Sequence, residues 1–397
     1  MTVNFKLRNL FALAMIISFS SFAETNNNLA PAASSDEAQL SFRDLPNLKE
    51  AFIDTTPTKR NDGLAIGTLG INGGKADMIV KFAKEIASGK HGKYDSMLIS
   101  QKDKLLFESY YLRGRVNLPH YQASATKVYT SLAVGRAIQL GYLTMADLDK
   151  PLVSFLKDLD STKFVEGAEN ITLHKAMTMR SGIRISRDTR KELTSNPSQL
   201  KGQGQIQAWL AHSAPITSES QSYLYSFDPS LVMPVLEAVV PGSVKDFIKT
   251  ELLDKMGITT YDWQTGLNGL PSAGSGANMT SRAMIKFGSL VLNKGKWKGK
   301  QLISLDYLAK ATSAITNAAA DWQPESFNYG YYFYQTNITI GDKNYDANAI
   351  WGGGGQHIVT VAALDLVIVI TGHDQKDEIF KQIVKSVLPA FVTKEST

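Results

Sequence analysis

The sequence predicts an α+β fold: one sheet built from strand-forming segments at both ends of the chain, with a mostly helical lobe inserted between them. Three observations predict it. β-rich runs occur between residues 96 and 110 and again from residue 329 onward, helical periodicity dominates the stretch between, and no internal repeat divides the chain into stacked units. With 397 residues, 43% of them apolar, the chain can bury one large core or two closely joined lobes.

Taken in order, residues 1–23 read as an export signal. Lys6 and Arg8 precede the apolar run from Leu10 to Phe19, and Ser21-Phe22-Ala23 is a small-x-small cleavage site. The expectation is an exported protein, periplasmic or secreted. The apolar run is too short to span a membrane and no later stretch is long enough without charges, so the mature chain is expected to carry no membrane span. Residues 24–49, rich in Asn, Ala, Ser and Pro, are expected to form a mobile spacer, leaving 50–397 as the folded domain with its helical lobe over about 142–275.

Within the domain, Ile79, Phe82, Ala83 and Ile86 recur at helical spacing between Gly73-Gly74 and Gly89. Ser96 to Ser100 and Leu105 to Tyr110 flank the polar turn Gln101-Lys-Asp-Lys104, which predicts a hairpin. A long helix follows from about Ser124, ended by Gly141. Short helices and turns are expected through 141–159 and 171–182, a charged surface excursion near the site entrance over 188–205, and helices over 231–239, 244–256 and 281–292. Residues 329–334, 357–362 and 366–371 are β-rich, and 377–391 reads as a closing amphipathic helix.

Composition excludes several kinds of chemistry. There is no cysteine, so thiol catalysis and disulfides are ruled out, and a net charge of +5 is too mild to suggest a nucleic-acid partner. The six histidines are scattered, with no H-E-x-x-H and no acidic cluster at ligand spacing, so no metal and no cofactor are expected. G-x-S-x-G is absent as well.

The chemistry points to Tyr121-Gln-Ala-Ser124-Ala-Thr-Lys127. Three residues of helical advance are about one turn, so the Lys127 amine falls over the same face as the Ser124 hydroxyl. A hydroxyl needs a base to become nucleophilic, and a lysine serves as one when burial lowers its pKa. Val128, Tyr129, Leu132, Ala133, Val134, Ala137 and Ile138 leave the helix almost no polar face, which supplies that burial. Ser154 to Lys157 and Ser198 to Lys201 repeat the spacing, but in polar or short amphipathic surroundings. Tyr225, in Tyr223-Leu-Tyr-Ser-Phe227, is the candidate to relay a proton to the leaving group. Trp351-Gly352-Gly353-Gly354-Gly355-Gln356 can let a substrate backbone approach closely and expose N–H groups to an oxyanion, and it lacks the Lys-Ser/Thr continuation of a phosphate loop.

On these blocks the sequence resembles the serine β-lactamase superfamily, in its class C-like branch of DD-peptidases, esterases and 6-aminohexanoate-dimer hydrolase. The blocks run in order from Ser96-Met-Leu-Ile, through Ala123-Ser-Ala-Thr-Lys127, Met179-Arg-Ser-Gly182 and Asn278-Met-Thr-Ser, to Trp351-Gly-Gly. The resemblance implies a β-lactamase/transpeptidase-like fold with the site between sheet and helical lobe. It implies Ser124 as acylated nucleophile, Lys127 as general base, Tyr225 as the tyrosine of the second motif, and Trp351, Gly352 and Gly353 as the third, substrate-binding motif. The oxyanion donors would be the backbone N–H groups of Ser124 and Gly354. Two departures stand out. Tyr225-Ser226-Phe227 replaces Tyr-x-Asn, removing an amide, and Trp351-Gly352-Gly353 replaces Lys-Thr-Gly, removing a cation and a hydroxyl. The expected activity is hydrolysis of a small-molecule ester or amide. The alternatives are a β-lactamase or DD-peptidase, and a penicillin- or peptidoglycan-binding protein with vestigial hydrolysis.

Overall fold

The structure, a computed structural model, describes residues 29–318 and 326–392. The export-signal reading of residues 1–23 lies outside the described residues. Among them, no helix is long and apolar enough to cross a membrane.

Strands from both ends of the chain form one sheet. Its order is Phe52–Asp54, Lys104–Tyr110, Tyr94–Gln101, Leu366–Gly372, Gln356–Val361, Lys343–Gly352, Tyr334–Ile340, Asn328–Tyr329 and Thr316–Asn317, with Ala65–Ile66 added parallel to Lys104–Tyr110. The ends meet where Tyr94–Gln101 pairs antiparallel with Leu366–Gly372, Met97 lying opposite Ile370. The expected hairpin is present, and its turn residues Lys102 and Asp103 have φ of 49° and 57°, the twist a two-residue turn needs. The 329–334 run is not one strand. It breaks at Gly330–Phe333, where Tyr332 takes a φ of 68° and its N–H reaches back to Met177 O.

Each sheet face carries helices. His357 and Ile358 are neighbours and point to opposite faces. His357 bonds to Asp377, just ahead of the C-terminal helical run that starts at Ile379–Gln382, and the Ala76–Ala87 helix packs beside that run. The helix buries Ile79, Phe82, Ala83 and Ile86, the four residues whose spacing predicts it, and the larger three contribute about 1.5–3 kcal/mol each. Ile358 lies under Ser281–Leu292, where a Cβ added at Gly288 would run into Val367 and Ile358. A side chain there would lift the helix off the sheet.

Between the hairpin and the C-terminal strands run the helices of the lobe, among them Leu173–Met177, Gly204–His212 and Val232–Val239. The charged excursion is itself helical at Arg187–Ser195, N-capped by Ser186, with no buried residue. Residues 29–49, expected as a spacer, lie against the domain. Val116 donates to Pro31 O (2.8 Å), Leu48 to Leu112 O (2.6 Å), and Arg115 Nη2 to Glu37 Oε1 and Pro46 O (both 3.0 Å), while Ala30 and Leu45 are buried. The polar composition hides this segment because backbone groups and one ion pair hold it, not an apolar face.

Candidate active site

Ser124 sits in a tight helical turn, Ala123–Ala125, that feeds directly into the helix Thr126–Gln139. Every residue from Thr126 to Ala137 is buried, as the apolar periodicity implies. Ala123 has a φ of 45°, a left-handed conformation that costs a non-glycine residue about 1–2 kcal/mol. The neighbours hold it there. Gln122 N–H donates to Ala277 O (2.9 Å), the Tyr129 hydroxyl donates to Gln122 Oε1 (2.8 Å), and Thr126 Oγ1 donates to Ala123 O (2.7 Å) while accepting from Ala277 N–H (3.1 Å). The turn is thereby pinned to the short strand Ala277–Met279, which pairs with His120–Tyr121.

Lys127 Nζ lies 2.7 Å from Ser124 Oγ and 2.9 Å from Gly274 O, and the side chain is nearly fully buried. An ammonium donates across the first contact; a neutral amine accepts the serine proton across it. Burial pushes the Lys127 pKa below its ordinary value, against the opposing pull of the Tyr225 charge and hydrogen bond. The Tyr225 ring centroid is 4.8 Å from Nζ. Ser124, Lys127 and Tyr225 are therefore together. The other two serines at this spacing bond locally, Ser154 Oγ to Pro151 O and Ser198 Oγ to Asn196 Oδ1 (both 2.6 Å).

In the glycine segment, the strand Lys343–Gly352 ends against the Ser124 turn: a Cβ added at Gly352 would collide with Gln122 O and crowd Ala125 N. Gly353 faces open space, and Gly354, at φ 90°, accepts from Asp374 N–H through its carbonyl (3.1 Å). Alternation along the strand turns Trp351 to the opposite face from Gly352. There its Nε1 donates to Asp377 Oδ2 (3.1 Å) and its ring packs with Phe327, Tyr334 and His357.

Ser124 and Lys127 line a cleft of about 450 Å³ with Phe227, Leu267, Asn268 and Ser272. Among the described residues that line it, Lys127 is the only charged one. Phe227 packs against Trp209, so an aromatic ring occupies the position where the resemblance leads one to look for an amide. Sequence reasoning missed Gly274, the second acceptor for Lys127, and also Asp228. Asp228 is buried and accepts from Ser181 N–H and Ser181 Oγ (both 2.8 Å), tying the segment after Tyr225 to the Met179–Gly182 turn. Burial pushes its carboxyl up to about 6, against the pull of those bonds. Its one sequence signal was a carboxylate just ahead of the apolar run Leu231 to Leu236; Gly274 offered none.

An antiparallel sheet with helices on both faces, and a serine against a buried lysine, define a serine hydrolase of the β-lactamase/transpeptidase-like kind. The chain belongs to the Beta-lactamase family, whose model matches residues 95–382. No curated protein matches the chain at a significant level of sequence similarity. Solved structures share the fold at low identity. One from Bacillus anthracis, provisionally assigned as a 6-aminohexanoate-dimer hydrolase, is 19% identical with a TM-score of 0.59, over 76% of this chain and 79% of that one. A class C β-lactamase is 13% identical with a TM-score of 0.60, over 80% and 97%. EstCE1, a hydrolase with promiscuous acyltransferase activity, is 13% identical with a TM-score of 0.58, over 75% and 94%.

Proposed function

We propose that the protein is an exported esterase or amidase that works through an acyl-enzyme on Ser124. The observation that carries this reading is the 2.7 Å contact between Ser124 Oγ and the amine of the buried Lys127. Ser124 Oγ attacks the carbonyl carbon of the substrate and passes its proton to Lys127 Nζ. The backbone N–H of Ser124 and an N–H of the glycine turn after Gly352, Gly354 by resemblance, receive the oxyanion. The intermediate collapses, the C–O or C–N bond breaks, and the leaving group takes a proton relayed through Tyr225. Water then attacks the acyl-enzyme by the reverse proton path, freeing the acid and Ser124. The uncharged lining of the cleft beyond Lys127 favours a neutral acyl group.

A fluorophosphonate probe followed by peptide mass spectrometry tests this. The expected adduct is on Ser124 alone, with Ser124→Ala folded but unlabelled and unable to turn over nitrophenyl esters. An adduct on another serine would overturn Ser124 as the nucleophile, and an intact protein that takes no label would point instead to a binding protein with vestigial chemistry.

A further inference from the structure

Beside the first turns of the Ser281–Leu292 helix lies a second cavity, of about 170 Å³, lined by Arg60, Asp62, Thr259, Thr280, Arg282 and Lys286 among others. Arg282 is 3% exposed. Its Nε donates to Asp62 Oδ2 (2.6 Å) and its Nη1 to Glu108 Oε2 (2.7 Å), while the buried Nη2 has no hydrogen-bond partner among the described residues. Arg60 Nε is also buried without a partner. Lys286, 3% exposed as well, gives one N–H to Gly257 O (2.7 Å). Three cations thus face two carboxylates, Asp62 and Glu108, with Lys298 close enough to add to the positive side.

Buried donors without acceptors are costly, and those on charged groups more so. Water in the cavity would satisfy the N–H groups but leave the cationic excess in place. A small anion with two or more oxygens satisfies both. The cavity has the volume of several water molecules, room for such an anion but not for a nucleotide.

We propose that this cavity is a binding site for a small oxyanion, such as inorganic phosphate, sulfate or a carboxylate, held by Arg60 and Arg282 with Lys286 as a third donor. Guanidinium groups suit such oxygens because their N–H groups form a planar fork. The site is separate from the cleft at Ser124, which none of these residues lines. Lys286 makes the site sensitive to pH. Burial brings its pKa down to about 8, helped by the Lys298 and Arg282 cations and opposed by Asp62, so its charge is lost above that value.

The test is calorimetric titration of the purified protein with sodium phosphate, sodium sulfate and sodium acetate, each at constant ionic strength and pH 7. Saturable binding of one equivalent of at least one anion is expected, weakened about tenfold or more in Arg60→Gln and in Lys286→Gln and unchanged in Lys81→Gln on the exposed face of Ala76–Ala87. Phosphate and sulfate without acetate would mark a tetrahedral anion, and acetate alone a carboxylate; either supports the site. Repeating the wild-type titration at pH 9.5 gives a variant-free arm, with weaker binding expected. Absence of saturable heat for all three anions overturns the proposal, as does binding that both variants retain in full or that is equal at the two pH values.

Discussion

At the residue scale the site turns on one amine. On the proposed mechanism Lys127 must be neutral to accept the Ser124 proton, and its burial lowers the pKa from the ordinary 10.5. The rate of ester hydrolysis is therefore expected to rise with pH along an acid limb whose pKa lies below 10.5, measured as kcat/KM against pH. Lys127→Arg keeps the charge but stays protonated, so it should lose well over tenfold, more than about 1.4 kcal/mol of barrier, at every pH. Retention of a tenth of the rate would remove Lys127 as base. Asp228 gives a separate prediction. Its folded pKa of about 6 exceeds the ordinary 3.8, so the native state holds the proton more tightly than the unfolded chain. Its contribution to stability is complete below about 3.8 and is lost as pH rises through about 6, by up to about 3 kcal/mol. Asp228→Asn keeps a partner for both Ser181 groups, so urea denaturation should show the variant gaining on wild type between pH 4 and 7; an unchanged difference would refute the assignment. Ser124 and Lys127 were legible in the sequence because their geometry is local, one helical turn within an apolar helix. Asp228 and Gly274 were not, because loops distant in sequence bring them to Ser181 and Lys127.

At the level of elements, the end of the Lys343–Gly352 strand is where backbone comes closest to the Ser124 turn. A Cβ at Gly352 meets Gln122 O, a backbone atom that cannot move without disturbing the hydrogen-bonded turn, whereas a Cβ at Gly353 meets nothing within 4 Å. Gly352→Ala should therefore cost about 100-fold or more in kcat/KM, on the order of 3 kcal/mol, and Gly353→Ala less than about tenfold, with melting temperatures compared to separate folding from activity. Equal losses would mean that the turn yields. The glycine run was visible in the sequence, but which glycine abuts the serine depends on strand register, which spacing does not fix. The strand itself went unread for a physical reason. Asn344, Asp346 and Asn348 have poor strand propensity, and what marks the strand is the alternation of buried Tyr345, Ala347 and Ala349 between them. The Ser96–Tyr110 hairpin was easier, since the apolar runs Met97 to Ile99 and Leu105 to Phe107 flank a polar turn.

Over the whole molecule, closing one sheet from both chain ends sets the C-terminal strands beside the Ser124 helix, and the substrate must fit what those strands present. Strand-forming ends around a helical middle made this architecture legible; the walls of the cleft, built from loops such as 266–275, were not, because loop conformation has no period to read. β-Lactams and D-Ala-D-Ala peptides carry a carboxylate beside the scissile bond. Among the described residues lining the cleft no cation but Lys127 is present, and beside Trp351 stands Asp377. Burial pushes the Asp377 carboxyl up, but the charge and hydrogen bond of His357, with the Ile379 and Trp351 N–H groups, prevail and hold it below the usual range, so it stays negative. Missing hydrogen bonds to a charged group, at roughly 1.5–3 kcal/mol each, should cost an anionic substrate about ten- to a hundredfold or more in kcat/KM. A short neutral nitrophenyl ester is thus expected to be turned over far faster than a chromogenic cephalosporin by the same preparation. Activated esters react more readily in any case, so the informative comparison is Trp351→Lys. Because Trp351 points to the Asp377 face, away from the Ser124 turn, the new ammonium should pair with Asp377 and improve the cephalosporin by less than about threefold, and adding Asp377→Asn should leave the ratio within that same range. A wild type that hydrolyses both substrates equally well would refute the preference, and a large gain from Trp351→Lys alone would place residue 351 on the substrate side of the strand.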